Sequence, residues 1–150
     1  MRHPIALTAA IAAALALSAC QPDTPAENRQ DVQEVRQEAA KDVAETRQEA
    51  AQDVAAAQRD VADAANANAG DVRDEQADAM ETSAEANYDV AIAAADAQQK
   101  IAKEKCDVMT GDAKDACTTA ADNAYEQAKM RAEQLKDARE DAADVVDDKN

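Results

Sequence analysis

The sequence contains very little of what builds a compact hydrophobic core. Its 150 residues include no tryptophan and no phenylalanine, and only two tyrosines. Val, Ile, Leu and Phe together number 13 in residues 20–150. So small a share of large apolar side chains buries too little area to offset the conformational entropy of an ordinary globular fold. The composition therefore leaves two classes, a disordered chain or a set of solvated helices.

Basic residues and the usual groups of catalytic sites are also scarce. Lys and Arg number 16 against 32 Asp and Glu, which gives a formal net charge of −16. This excess of negative charge excludes nucleic acid as a partner, because it repels phosphates. The only histidine is His3, and two glycines are too few for a phosphate-binding loop. We therefore expect a protein that is not an enzyme and that holds no cofactor and no metal ion.

Alanine is abundant instead. Residues 20–150 contain 34 alanines, and alanine has the highest intrinsic helix propensity. Most of the remaining residues are Glu, Gln, Asp, Lys and Arg. The composition therefore predicts an all-α chain with little globular core.

The first segment is predicted to be removed from the mature protein. An apolar run from Ile5 to Leu17 follows the short polar start, and it is too short to span a bilayer, which needs about 20 residues. Residues 1–19 therefore have the pattern of a signal peptide. If this is an ordinary signal peptide, Cys20 is an incidental cysteine.

The residues "LSAC" (17–20) resemble the lipobox of bacterial lipoproteins. The resemblance implies cleavage before Cys20, a diacylglycerol on its sulfur and an acylated amino terminus. The membrane is then a partner through the lipid on Cys20. In the sorting rule of enteric lipoproteins, Gln21 after the lipidated cysteine implies the outer membrane, with the protein facing the periplasm.

The lipid anchor is followed by a short tether and a helix start. Pro22 and Pro25 prevent a continuous helix through residues 20–27. Thr24 as N-cap, Pro25 at the first helical position and Glu27 completing a capping box predict that a helix begins here.

Residues 28–83 repeat with a period of eleven. "RQEAAKDVAET" (36–46) is followed directly by "RQEAAQDVAAA" (47–57), and eleven residues correspond to three helical turns. The valines fall on three of the eleven positions and form one apolar stripe along a helix. Val61 and Val72 keep the register across Gly70, so the sequence predicts one helix over 28–109 with at most a kink. The Val/Ala stripe makes a second copy of the chain a candidate partner.

Residues 84–150 are predicted to form a helical hairpin with an acidic carboxy-terminal end. Cys106 and Cys117 are eleven residues apart, about 16 Å on an unbroken helix, whereas a disulfide needs Cα atoms within about 7 Å. Gly111, as the residue that ends one helix, and Asp112, as the cap of the next, favour a reversal between them. We therefore predict a disulfide-linked antiparallel αα-hairpin with helices at about 84–109 and 113–145. A metal site or a redox pair is the alternative use of the two thiols.

If Cys106 faces Cys117 in an antiparallel hairpin, residues further along the two helices are also matched in pairs. Ala102 should face Ala121, and Tyr88 should approach Leu135 at the far end. Such alanine seams let two helices come close together but bury little area, so the disulfide is expected to supply much of the stability.

The stretch "KCDVMTGDAKDAC" (105–117) also resembles a motif in small exported proteins of proteobacteria. The resemblance covers about residues 84–130 and implies an exported, alanine-rich helical protein. It implies no activity.

These observations favour a non-catalytic lipoprotein of the cell envelope with a structural or interaction role. The chain partly resembles the murein lipoprotein, although that family repeats mainly by sevens. Its eleven-residue repeats also resemble the late embryogenesis proteins, which would make it a stress or desiccation protectant. An oligomeric coiled-coil scaffold is the third alternative.

Overall fold

The structure, a computed structural model, describes residues 24–67 and 71–147. Within them it contains three α-helices and no strand: α1 Glu27–Ala67, α2 Asp71–Cys106 and α3 Asp112–Asp147. The predicted signal peptide, the predicted lipidation site Cys20 and Gly70 lie outside the described residues. The all-α prediction with a long helix and a disulfide-linked hairpin is confirmed. The predicted boundary between residues 83 and 84 falls within α2.

The start of α1 is closed by the predicted capping box. The Thr24 backbone N–H donates to Glu27 Oε2 at 2.9 Å, and the Glu27 N–H donates back to Thr24 Oγ1 at 3.4 Å. The Thr24 hydroxyl also donates to Glu27 Oε2 at 2.6 Å, and these hydrogen bonds hold the pKa of Glu27 below its ordinary value. Two backbone donors that a helix start leaves without partners are thereby satisfied.

Thr24→Ala should weaken this helix start. Removal of an N-cap hydroxyl costs about 1 kcal/mol of unfolding free energy, and chemical denaturation followed by circular dichroism measures it. Thr24→Ser retains the hydroxyl and is the matched control, which should unfold like the parent. Equal losses in the two variants would show that the hydroxyl does not stabilise α1.

The helices α1 and α2 pack side by side in opposite directions. Asn28, at the start of α1, donates from Nδ2 to the Glu104 carbonyl near the end of α2 at 2.5 Å. Further along, Lys100 Nζ lies 3.9 Å from Asp42 Oδ2. The prediction of one helix over 28–109 is therefore wrong, because α1 and α2 are separate helices that pack antiparallel.

The interface between α2 and α3 repeats every eleven residues. Buried positions spaced by eleven residues are Ala84, Ala95 and Cys106 on α2, and Ala121, Ala132 and Ala143 on α3; Ala77 and Ala86 of α2 are buried as well. Within the described residues no Cα of α1 lies within 8 Å of a Cα of α3, so the α3 alanines are buried against α2. The small side chains let the two backbones approach closely over most of their length. We call the six positions spaced by eleven residues the α2–α3 seam.

A larger side chain in the α2–α3 seam should separate the helices. Ala132 is 5% exposed, and overpacking of a close contact costs about 1–3 kcal/mol. We expect Ala132→Leu to lower the free energy of unfolding by that amount, measured by denaturant titration. Ala124→Leu, at an exposed position of the same helix, is the control and should have little effect. Equal stability of the two variants would contradict close packing at Ala132.

One side-chain pairing differs from the prediction by a single residue. Leu135, which was predicted to approach Tyr88, is 66% exposed. The neighbouring Lys136 lies over the Tyr88 ring, with Nζ 5.6 Å from the ring centre. Partial burial works to lower the pKa of Lys136, but the hydrogen bond to Glu140 and the charges of Glu140 and Glu85 raise it overall. The largest side chains therefore lie outside the seam, which is filled by alanine alone at this end.

Candidate functional site

The disulfide joins the end of α2 to the first turns of α3. Cys106 and Cys117 are bonded, with their Cα atoms 5.7 Å apart, and Cys106 is 1% exposed. The predicted pairing is confirmed. Since each sulfur is bonded to the other, neither thiol is free to act as a metal ligand in this state.

The loop between the helices is built differently from the prediction. Helix α2 ends at Cys106, not near residue 109, and Met109 N–H donates to the Cys106 carbonyl at 2.9 Å. Gly111 has φ of 58°, a conformation that glycine adopts without strain. Its carbonyl accepts from the backbone N–H groups of Lys114 and Asp115 at 3.0 and 3.2 Å. Gly111 is therefore the N-cap of α3, and Asp112 is its first helical residue, so the roles predicted for both were wrong.

Two ion pairs tie the elements together at this end. Lys114 Nζ lies 2.8 Å from Asp107 Oδ1 and bridges the loop. Lys103 Nζ lies 2.6 Å from Asp122 Oδ1 and links α2 to α3. This hydrogen bond from Lys103, supported by one from Gln99, holds the pKa of Asp122 below its ordinary value against the opposing effect of burial. Such half-exposed pairs contribute little to stability.

The beginning of α1 lies at the same end of the molecule. Asn28 is 7% exposed and donates to the Glu104 carbonyl, two residues before Cys106. Asn28 was not among the residues predicted to be functional, because a polar residue in the first turn of a helix is usually solvated. The only indication was its spacing of eleven residues from Ala39, which is also buried. We call the assembly of residues 24–36 and 100–123 the disulfide end.

The rest of the described surface offers shallow grooves. One lies at the other end of the molecule, where Val54 of α1, Met80 of α2 and Arg139 of α3 line a common depression. Among residues 24–67 and 71–147 no group of three or more His, Cys, Asp or Glu side chains is arranged to hold a metal ion. None of the described helices is both long and apolar enough to cross a membrane.

Comparison of the chain with protein-family models, with curated proteins and with solved structures found no match. The function is therefore argued from the residues and from the geometry of the disulfide end.

Proposed function

We propose that the chain is a non-catalytic lipoprotein of the bacterial cell envelope. It is anchored by lipid on Cys20, faces the periplasm from the outer membrane and serves as a structural or interaction element. The observation that carries the proposal is the Cys106–Cys117 disulfide in a chain whose apolar leader closes with "LSAC". Disulfides persist in the oxidising periplasm and are rare in the bacterial cytosol.

The shape of the three helices suits a spacer. An α-helix rises about 1.5 Å per residue, so the 41 residues of α1 extend about 60 Å. The α2–α3 seam is made of small side chains, and the exposed faces of the helices carry most of the charge. A long, acidic surface of this kind supports a role as a spacer between the membrane and a partner, or as a surface to which a partner binds. The lipid attaches the chain to the membrane.

Mass spectrometry of the protein from isolated membranes tests the proposal. The amino-terminal peptide should begin at Cys20 and carry a diacylglycerol and an amide-linked acyl chain, and outer-membrane fractions should contain the protein. A mature chain that begins elsewhere, or an unmodified Cys20, would contradict the proposal.

The two alternative functions predict different solution behaviour. A protectant would be a coil in dilute buffer and become helical on drying, whereas the spacer is helical in buffer. Far-ultraviolet circular dichroism of the delipidated protein separates them. A coiled-coil scaffold through the Val/Ala stripe requires a second copy, yet Val32 and Ala39 of the stripe are already buried within one chain. Only half-exposed members such as Val54 and Val61 remain for that contact.

A further inference from the structure

The disulfide end lies close to the proposed lipid anchor. Cys20 is four residues before Thr24, where the described chain begins, and four residues reach at most about 14 Å when fully extended. Asn28 holds the start of α1 against Glu104. A lipid on Cys20 therefore keeps the loop at 107–111 within reach of the headgroups, whereas the other end is a helix length away.

The two ends of the molecule also carry different charge. The disulfide end, residues 24–36 and 100–123, contains eight acidic and six basic residues. The opposite end, which we call the acidic end, comprises residues 55–67, 72–81 and 137–147. It contains eleven acidic and only three basic residues. The negative charge of the chain is thus concentrated away from the anchor.

We propose that the three helices stand upright on the bilayer, with the disulfide end against the phospholipid headgroups and the acidic end about 60 Å away. This arrangement rests on the proposed lipidation of Cys20. The surface that meets the lipid is the nearly neutral one, which includes the exposed Met109 and Thr110 of the loop.

Electrostatics favours the upright arrangement over one in which the helices lie flat. Repulsion from anionic lipids acts within about one Debye length, which is roughly 8 Å at physiological ionic strength. Flat helices would bring acidic residues along their whole length into that layer. An upright molecule places only the balanced charges of the disulfide end there.

Tryptophan fluorescence can measure the orientation, because the chain contains no tryptophan of its own. Met109, Met130 and Val145 are 39%, 52% and 52% exposed, so each accepts the larger ring without repacking. Met130 and Val145 lie 13 and 28 residues beyond Cys117 on α3, or about 20 and 42 Å along the helix. The single variants Met109→Trp, Met130→Trp and Val145→Trp thus place tryptophan at three increasing distances from the disulfide end.

Each variant is purified with its lipid and reconstituted into vesicles of phosphatidylcholine and phosphatidylglycerol, with a fraction of the phosphatidylcholine carrying a nitroxide on its headgroup. We expect strong loss of fluorescence for Met109→Trp, much less for Met130→Trp and none for Val145→Trp. Vesicles without nitroxide are the control for effects of the bilayer alone. Circular dichroism checks that the three variants have equal helix content.

Equal quenching in the three variants would show flat helices, and strongest quenching for Val145→Trp would show the inverted orientation. Either result overturns the upright arrangement while leaving the lipoprotein function intact. Mass spectrometry of the same samples separates the two claims. An unmodified Cys20 overturns the proposed function and the upright arrangement with it.

Discussion

Removing the disulfide should lower the melting temperature by about 10 °C. Cross-linking two residues eleven apart reduces the entropy of the unfolded chain by an amount worth roughly 3 kcal/mol. For a chain of this size, 1 kcal/mol changes the melting temperature by a few degrees. The effect is large here because the α2–α3 seam consists of alanines apart from Cys106, and each alanine contributes little. The variant Cys106→Ala/Cys117→Ala avoids an unpaired thiol, and its thermal unfolding is followed by circular dichroism.

Reductant provides the control for this prediction. It should lower the melting temperature of the parent to that of the double variant and leave the double variant unchanged. If reduction does not alter the melting of the parent, the bond does not hold α2 and α3 together. Free thiols at both positions in protein isolated without reductant would contradict the disulfide itself.

Cys20→Ser should abolish lipidation. The acyl chains are attached to the sulfur and amino group of Cys20 under the proposed function, and each buried CH₂ contributes about 0.8 kcal/mol to membrane attachment. We expect the acylated mature form to disappear and the processing of the precursor to change. Mass spectrometry and partition into a nonionic detergent phase measure the two effects.

The double alanine variant is the matched control for Cys20→Ser. It removes two cysteines but retains Cys20, so it should remain acylated and partition with detergent. Conversely, Cys20→Ser retains the disulfide and should melt like the parent. Unchanged processing and membrane attachment of Cys20→Ser would refute the lipid anchor.

The sequence predicts those features that depend on local chemistry. Thr24 and Glu27 have the spacing of a capping box, and the structure contains it. Cys106 and Cys117 are too far apart for a disulfide on one helix, so their pairing required a reversal, which is present. In both cases a few neighbouring residues determine the geometry.

The antiparallel packing of α1 and α2 was not predicted, because the eleven-residue period of the apolar side chains does not show whether the next helix continues in the same direction or runs back. A stripe with a period of eleven suits one continuous helix and equally two antiparallel helices that pack along it. Val61 and Val72 remain in register on either side of the reversal, which made a continuous helix appear consistent. A signal was nevertheless present: α2 and α3 both begin at an aspartate that directly follows a glycine, Gly70–Asp71 and Gly111–Asp112.

The contact of Tyr88 with Lys136 in place of Leu135 has a different cause. Neighbouring residues on a helix differ by about 100° in direction, so an error of one residue in the register exchanges a buried face for an exposed one. The sequence fixes the register at the disulfide only approximately, because the loop of residues 107–111 adopts a conformation that depends on its own hydrogen bonds and on the positive φ of Gly111.

Within the described residues, α1 and α3 each pack closely against α2, and no Cα atom of one lies within 8 Å of a Cα atom of the other. The free energy that holds α1 to α2 is separate from that which holds α3 to α2, and only the second pair is cross-linked. Elements of this kind open as separate cooperative units. If α1 swings away, α2 and α3 remain a folded pair at its far end. The reach from the proposed anchor on Cys20 then grows from about one helix length to about two, or more than 100 Å.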